Sequence, residues 1–281
     1  MKRRTFIKKF FGSMLALLGL SGGTYYYAHK VEPSLLQIHQ ENIYSPSIPP
    51  AFDNFKIVQF SDTHLGFQYS LEQLQDLVQQ INQLQPNIVV FTGDLIDEPL
   101  SFLEGEQLSL ILQELKATDG KYWVYGNHDH GGYGTNIVAD IMVQADFELL
   151  QNSHTVIERN HERMILAGID DMILGKPDID RALANTNPDL FTILLVHEPD
   201  FADITKSYPV DLQLSGHSHG GQVRLPIIGH LYTPIYAEKY ISGKYQIDDL
   251  QLYVNQGIGT TRLPFRLFCK PEIHLFTLKK S

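Results

Sequence analysis

Ile88-Val89-Val90-Phe91-Thr92-Gly93-Asp94 is an apolar run that stops on a glycine and a carboxylate. Four apolar residues without polar alternation read as a strand buried on both faces, the kind found in parallel sheets. The glycine permits a tight turn. The aspartate is then left at the carboxyl end of the strand, where open α/β sheets present their ligand-binding groups.

The same pattern recurs on either side. Upstream, Lys56-Ile57-Val58-Gln59-Phe60-Ser61 is a β-type run that ends at Asp62-Thr63-His64. Ser70 can then cap a helix to about residue 84, with Leu71, Leu74, Leu77, Val78, Ile81 and Leu84 on one stripe before Pro86 and Asn87 stop it. Downstream, a helix is expected near residues 106–115, then a strand over 122–125 before Gly126-Asn127-His128-Asp129, then a helix near 136–145. Phe191-Thr192-Ile193-Leu194-Leu195-Val196 leads to His197, and a shorter strand over 211–215 leads to Gly216-His217-Ser218-His219. This βαβα rhythm predicts a largely parallel sheet. Residues 147–170, and those from 222 to the end, carry short alternating runs that read as antiparallel hairpins. No repeat or linker divides the body, so one α/β domain with two packed sheets is the economical reading.

Asp, Asn and Gly at any one strand end are ordinary turn formers. Five strand ends that all deliver metal-competent side chains are not explained that way. Asp62 and His64 can reach one cation from a single loop. Asp94 can bridge two ions with its two oxygens. Asn127 offers a neutral amide oxygen, and His197, His217 and His219 offer imidazole nitrogens. A mixed oxygen and imidazole set suits Mn, Fe or Zn better than Ca. Two such ions without thiolate ligands point to hydrolysis of a phosphate ester.

The 281 residues are 43% hydrophobic and 19% charged, as a globular chain should be. Net charge is −10. The first 28 residues hold five basic groups and no acid, so the remainder carries 17 basic against 32 acidic residues, a net of −15. Such a body is a poor partner for nucleic acid, whose backbone requires a basic face. An anionic substrate would have to be attracted locally by metal ions. The single cysteine, Cys269, excludes an intramolecular disulfide.

The N-terminus reads Lys2-Arg3-Arg4-Thr5-Phe6-Ile7-Lys8-Lys9, followed by an uncharged stretch over residues 10–28. It resembles a twin-arginine export signal, with Lys2 where Ser or Thr is usual. The uncharged stretch is close to the ~20 residues that span a bilayer. Tyr25, Tyr26 and Tyr27 would then sit at the interface. Cleavage and retention as an anchor both stay open. The expected division is a signal or anchor over 1–28, an extended lead-in over 29–55 whose Pro33, Pro46, Pro49 and Pro50 forbid a long helix, and a catalytic domain over 56–281. The expected partners are the twin-arginine translocation machinery and a phosphate-ester substrate. The expected location is outside the cytoplasm, anchored in a membrane or associated with periplasm or cell wall.

The ordered set Asp-x-His, Gly-Asp, Gly-Asn-His-Asp, His and Gly-His-x-His, over about residues 56–220, resembles the calcineurin-like metallophosphoesterase superfamily. The longer string from Gly216 to Pro226, together with the N-terminal arginine pair and Val31-Glu32-Pro33, is similar to its bacterial exported YkuE/YaeI-like group. The resemblance implies a four-layer αββα sandwich. It also implies two divalent metal ions. Asp62, His64 and His219 would hold one, and Asn127, His197 and His217 the other, with Asp94 bridging. A hydroxide shared between the ions would attack phosphorus. His128 would approach the leaving oxygen, oriented by Asp129.

Two rivals stand beside this reading. One is a membrane-proximal pyrophosphatase acting on sugar nucleotides or lipid-linked substrates; the other is a non-catalytic metal-binding envelope protein. Weaker candidates are Arg224 as a phosphate contact, Tyr232, Tyr236 and Tyr240 as groove residues, and residues 130–133 as a rim. Asp170-Asp171 is expected as a solvated turn.

Overall fold

The computed structural model describes residues 21–131 and 134–281. The arginine pair, the apolar core of the expected signal and Gly132-Tyr133 of the expected rim lie outside the described residues. Among the described residues, no helix is long and apolar enough to cross a membrane.

Fourteen strands form two six-stranded sheets and a small ribbon among the described residues. They are β1 (Gln37–Ser45), β2 (Lys56–Phe60), β3 (Ile88–Phe91), β4 (Lys121–Trp123), β5 (Glu148–Leu149), β6 (Ser153–Arg159), β7 (Glu162–Gly168), β8 (Thr192–Leu195), β9 (Leu212–Ser215), β10 (Arg224–Leu225), β11 (Gly229–His230), β12 (Gly243–Ile247), β13 (Leu250–Val254) and β14 (Glu272–Lys280). The first sheet runs β1-β14-β2-β3-β4-β5 and the second β12-β13-β9-β8-β7-β6, with β10 and β11 forming the ribbon. Strands β2 to β5 are mutually parallel, as are β13, β9, β8 and β7.

Helices α1 (Leu71–Leu84), α2 (Gly105–Gln113) and α4 (Thr135–Gln144) cover the outer face of the first sheet; α3 (Asn127–His130) is a single turn at the end of β4. Helix α1 starts as the sequence predicts. Ser70 Oγ accepts from the Gln73 amide at 3.3 Å, and Gln73 Oε1 accepts from the Ser70 amide at 2.9 Å. This reciprocal box satisfies amides that would otherwise lack partners. The second sheet is covered more thinly, by α5 (Ile179–Ala182), α6 (Ala202–Thr205) and loops.

The strands alternate between layers, as pleating dictates. Ile57, Ile88 and Val90 point between the sheets, where they meet Ile193, Leu195 and Leu214, while Val58, Phe60, Val89 and Phe91 meet the helices. The result is the four-layer sandwich.

Two expectations need correction. Residues 29–55 are not a lead-in outside the domain: β1 pairs in parallel with β14 along nine residues, and Ile43, Ile48 and Phe52 are fully buried between the sheets. The prolines exclude a long helix, with single 3-10 turns at Glu32–Ser34 and Pro50–Phe52, and they leave room for an edge strand between them. The C-terminal region is also not simply a set of hairpins. Strands β12 and β13 do form one, and so do β6 and β7, but β14 enters the first sheet between β1 and β2. Alternation identifies the faces of a strand and leaves its partners unspecified.

Candidate metal centre

The carboxyl ends of the two parallel blocks meet at one edge. Buried Gln59 ties them together, its Nε2 donating to Ser215 O at 3.0 Å and to Thr92 Oγ1 at 3.1 Å. Just beyond this seam every sequence-predicted ligand converges. Asp62, His64 and His219 bring ligand atoms within 4.8 Å of one another, and so do Asp94, His197 and His217. Asp94 Oδ2 lies 3.5 Å from His64 Nε2 and 3.3 Å from His197 Nε2, so it faces both groups. The site crosses the sheets, since the His217 amide donates to both Asp62 oxygens at 3.1 and 3.0 Å.

The backbone bends hard to achieve this. Asp62, His64, Asp94, His217 and His219 all have positive φ, between 43° and 67°. Non-glycine residues adopt that region uncommonly, at a cost of roughly 1–3 kcal/mol each, and five of the eighteen that do so among the described residues are these ligands. Gly93, at φ +98°, and Gly126 let two loops touch. A Cβ on Gly93 would lie 2.6 Å from His197 Nδ1, and one on Gly126 would lie 2.3 Å from Asp94 Oδ1.

Ring orientations follow from acceptors behind each imidazole. His197 Nδ1 lies 2.6 Å from Thr92 O, His217 Nε2 lies 2.9 Å from Ile235 O, and His64 Nδ1 lies 3.0 Å from Asp97 Oδ1. Carbonyl and carboxylate oxygens only accept, so those nitrogens carry the protons. The other nitrogen of each ring then points inward, where it can bind a cation once deprotonated. His197 Nε2 faces His217 Nδ1 at 3.1 Å, and His64 Nε2 faces His219 Nε2 at 3.0 Å.

Burial, then neighbouring His197, pulls His217 down to about 3, and burial, then His64 and Arg266, holds His219 well below the usual imidazole range. Burial lowers His197, but Asp94 and then Asp62 raise it well above the usual imidazole range, so without an ion the His197 ring itself supplies positive charge between these groups, a place a bound cation would take over. Burial works to raise Asp94, but His197, His128 and His64 more than offset it, so Asp94 stays anionic. Burial raises Asp62, and a nearby cation would restore its charge. Asn127 Oδ1 is buried without a hydrogen-bond partner among the described residues, and Asn127 lines the same cavity. Facing imidazole nitrogens, a shared carboxylate and an orphaned amide oxygen all fit divalent cations.

Two roles change. Asp129 does not touch the His128 ring. Its carboxylate is fully buried and accepts from the amides of Asp94, Leu95 and Gly126 at 2.8, 2.9 and 2.9 Å. Burial and Asp94 raise it to about 6 against these three donors. It therefore fixes the loop that presents Asp94. The residue behind His128 is Asp97, whose carbonyl lies 2.8 Å from His128 Nδ1 and whose Oδ1 is 3.5 Å away. Burial lowers His128, but Asp94 and Asp97 raise it more, favouring the imidazolium. Asp97 went unnoticed although it lies three residues beyond Asp94; an apolar pair separates them and no glycine marks it.

Arg266 also escaped notice. It is fully buried, and its guanidinium donates to the carbonyls of Gln256, Gly257, Gly259 and Cys269, with Nη2 3.5 Å from His219 Nδ1. In Leu263-Pro264-Phe265-Arg266 it reads as a surface charge.

The centre forms the floor of a cavity of about 550 Å³. Among the groove candidates Tyr232 lines it, whereas Tyr240 is buried against Asp203 and Arg224 donates to Ser242 Oγ at 3.2 Å. Arg262, 2.6 Å from Tyr232 Oη, stands at the wall instead. The pair Asp170-Asp171 is buried rather than solvated. Asp170 Oδ1 lies 2.8 Å from His130 Nε2, and Asp171 Oδ2 accepts from the amides of Ile173, Leu174 and Gly175.

The calcineurin-like phosphoesterase family matches over residues 55–221, a span that holds every ligand described above. A Bacillus subtilis protein named uncharacterized metallophosphoesterase YkuE is 44% identical over 282 residues, covering 100% of this chain and 99% of its own length. The Escherichia coli phosphodiesterase YaeI is 26% identical over 96% of this chain and 98% of its own. A zebrafish (Danio rerio) transmembrane protein with metallophosphoesterase domain is 31% identical, over 83% of this chain and 55% of its own. With the motifs matched in order and their side chains gathered at one sheet edge, the chain belongs to the calcineurin-like phosphoesterases.

Proposed function

We propose that the chain hydrolyses phosphate esters with two divalent ions. Asp62, His64 and His219 would hold one ion and Asn127, His197 and His217 the other, with Asp94 shared. The observation that carries this reading is the pair of facing imidazole nitrogens on either side of Asp94 Oδ2. When bound, such ions neutralise charge on phosphoryl oxygens and lower the pKa of water.

The protein's own groups do the rest. Asp129 and the His128 amide, which donates to Asp94 Oδ1 at 2.8 Å, fix the shared carboxylate. The His128 ring is about a quarter exposed, lines the cavity and is backed by Asp97. As an imidazolium it can stabilise charge on the phosphoryl group or protonate the departing oxygen. The ring positions also favour an enzyme over a passive metal carrier, because holding ions does not require His128.

The test uses bis(p-nitrophenyl) phosphate, p-nitrophenyl phosphate and a pyrophosphate diester. Turnover should vanish on chelation and return with Mn, Zn or Fe. A metal-loaded protein inactive on the whole panel would overturn the proposal. Hydrolysis of the pyrophosphate alone would favour the pyrophosphatase reading.

We also propose export by the twin-arginine route, on the strength of Arg3-Arg4 and the uncharged stretch that follows. Replacing both arginines by lysine should strand the protein in the cytoplasm, as cell fractionation would show; unchanged fractionation would reject the route.

A further inference from the structure

The cavity above the centre has two chemistries. Its floor is polar, with Asp94, Asn127, His128 and His217 among the contributors. Its walls are largely apolar: Val223, Leu231, Pro234 and Ile235 from one loop, Leu263 from another, and Ile173 opposite. Arg262, Tyr232, Gln222 and Thr261 supply the polar groups of the walls, with the Gln222 amide already donating to main-chain carbonyls. A polar headgroup such as a nucleotide or an oligosaccharide would leave its donors and acceptors facing these apolar walls.

The walls are built rather than loose. Gln222 Nε2 donates to Thr261 O at 3.2 Å and Leu263 O at 2.8 Å, and Leu267 and Arg224 pair across the same seam. Yet the lip exposes large apolar side chains. Leu231, Ile235 and Leu263 are 57%, 54% and 54% exposed, and Ile227 and Ile228 at the ribbon tip are 108% and 70% exposed. Ile227 even holds φ at +73°, an outlier for a β-branched residue. A cluster of this kind at one mouth marks an interaction site.

The N-terminal segment arrives at the same mouth. Residues 21–26 are helical; Tyr25 packs edge-on to Phe265 at 5.4 Å, and His29 Nδ1 lies 2.7 Å from Pro264 O. These partners directly follow Leu263 of the wall. In the sequence, residues 10–20 are uncharged and largely apolar.

We infer that the phosphate ester taken by this centre carries an acyl or prenyl chain, which lies along the walls formed by loops 223–235 and 261–263 and is drawn from a bilayer met by the Ile227–Ile228 tip. The inference rests on the phosphoesterase reading and names its substrate class. In the reaction, water adds to phosphorus, the P–O bond to the leaving group breaks, and the tailed phosphate and an alcohol or phenol depart.

The test uses the full chain loaded with manganese and a series of alkyl p-nitrophenyl phosphates from methyl to octyl, kept below their micellar concentrations. The ratio of kcat/KM for octyl over methyl should reach at least about tenfold, less than the gain from burying two methylenes fully. Leu263→Asn and Leu231→Asn should each bring that ratio towards one, whereas Val143→Asn, exposed on α4, should not change it. A wild-type ratio near one, with both esters turned over, overturns the inference and leaves the phosphoesterase reading standing. No turnover of any ester, bis(p-nitrophenyl) phosphate included, overturns that reading itself. A dodecyl ester in phosphatidylcholine vesicles tests the bilayer source. Ile227→Asp combined with Ile228→Asp should lower turnover in vesicles at least about fivefold relative to turnover in detergent; an equal rate ratio to wild type rejects the bilayer contact.

Discussion

The two sheets supply the two halves of the centre in different chemical form. The first, through the ends of β2, β3 and β4, provides Asp62, His64, Asp94 and Asn127, mostly oxygen donors. The second, through β8 and β9, provides His197, His217 and His219, all imidazoles. The support behind each half differs accordingly. Backbone amides hold the carboxylates: His217 N on Asp62, His128 N on Asp94, and three amides on Asp129. Carbonyls orient two of the second sheet's rings: Thr92 O behind His197 and Ile235 O behind His217. Donors stabilise an anion, while acceptors fix a neutral ring's tautomer and leave its lone pair free. The division tells which perturbations should remove charge from the centre and which should only tilt it.

Asp94 belongs to both halves, so its replacement should break the comparison outright. Asp94→Ala is expected to lose bound metal on dialysis and to reduce kcat/KM by at least about a thousandfold, the several kcal/mol that metal assistance supplies. Elemental analysis beside turnover of bis(p-nitrophenyl) phosphate checks this. Retention of full metal content would mean the two halves bind independently.

The second-sheet half depends on Arg266 through the loop that carries Gln256, Gly257 and Gly259. That loop is also packed against the other half: a Cβ on Gly257 would lie 2.7 Å from Asp62 Cβ. Arg266→Leu strands the carbonyls of Gln256, Gly259 and Cys269 and leaves Gly257 O only the Glu272 amide, at about 1–3 kcal/mol for each carbonyl left unsatisfied. Urea unfolding should show a loss of about 3 kcal/mol or more. A loss below about 1 kcal/mol would show that water replaces the guanidinium, and that the arginine is not what fixes the loop.

Asp129 distinguishes the two kinds of support more finely. Asp129→Asn keeps the shape but turns one acceptor into a donor against an amide. It should cost about 2–3 kcal/mol of stability, with turnover down about 10- to 100-fold. Had Asp129 acted by orienting His128, turnover would fall with stability unchanged. Urea melts alongside kcat decide between these.

These variants also show what the sequence could and could not disclose. The strand ends were legible because each joins a continuous apolar run to a turn residue and a ligand, a local signal. The parallel blocks followed from the βαβα rhythm. Two of Asp129's three partners were not legible, because they are backbone amides 34 and 35 residues away and amides leave no trace in residue identity; the third, the Gly126 amide, is local. Arg266 was hidden for the same reason: its acceptors are carbonyls. The place of β14 between β1 and β2 was hidden too, since an alternating strand declares its faces and not its neighbours. Sequence thus revealed the side chains that would meet ions and missed those that meet the main chain.

Glu272 offers the smallest effect, at the seam between the sheets. It opens β14 of the first sheet and accepts from the Gln256 amide at 2.9 Å and from Gln256 Nε2 at 2.6 Å, in the loop that follows β13 of the second. His274 Nε2 lies 3.1 Å from Oε1, and His39 Nε2 lies 3.2 Å from Oε2. Burial pushes the carboxyl up, but His274 and His39 outweigh it and hold Glu272 well below the usual carboxylate range. A depressed carboxylate adds stability above its unfolded value, near 4.5, and loses it as pH falls towards the folded value. His39 is raised by the same contact, so the pair also weakens as alkali removes that proton. Glu272→Gln should therefore lower stability by about 1–2 kcal/mol near pH 6, where wild type and variant differ most. The difference should shrink below pH 4.5 and again in alkali, as urea melts across pH would show. A pH-independent difference would assign the seam to hydrogen bonds that a glutamine can match only in part, with charge adding nothing, and would extend the amide-held character of the first sheet to its edge.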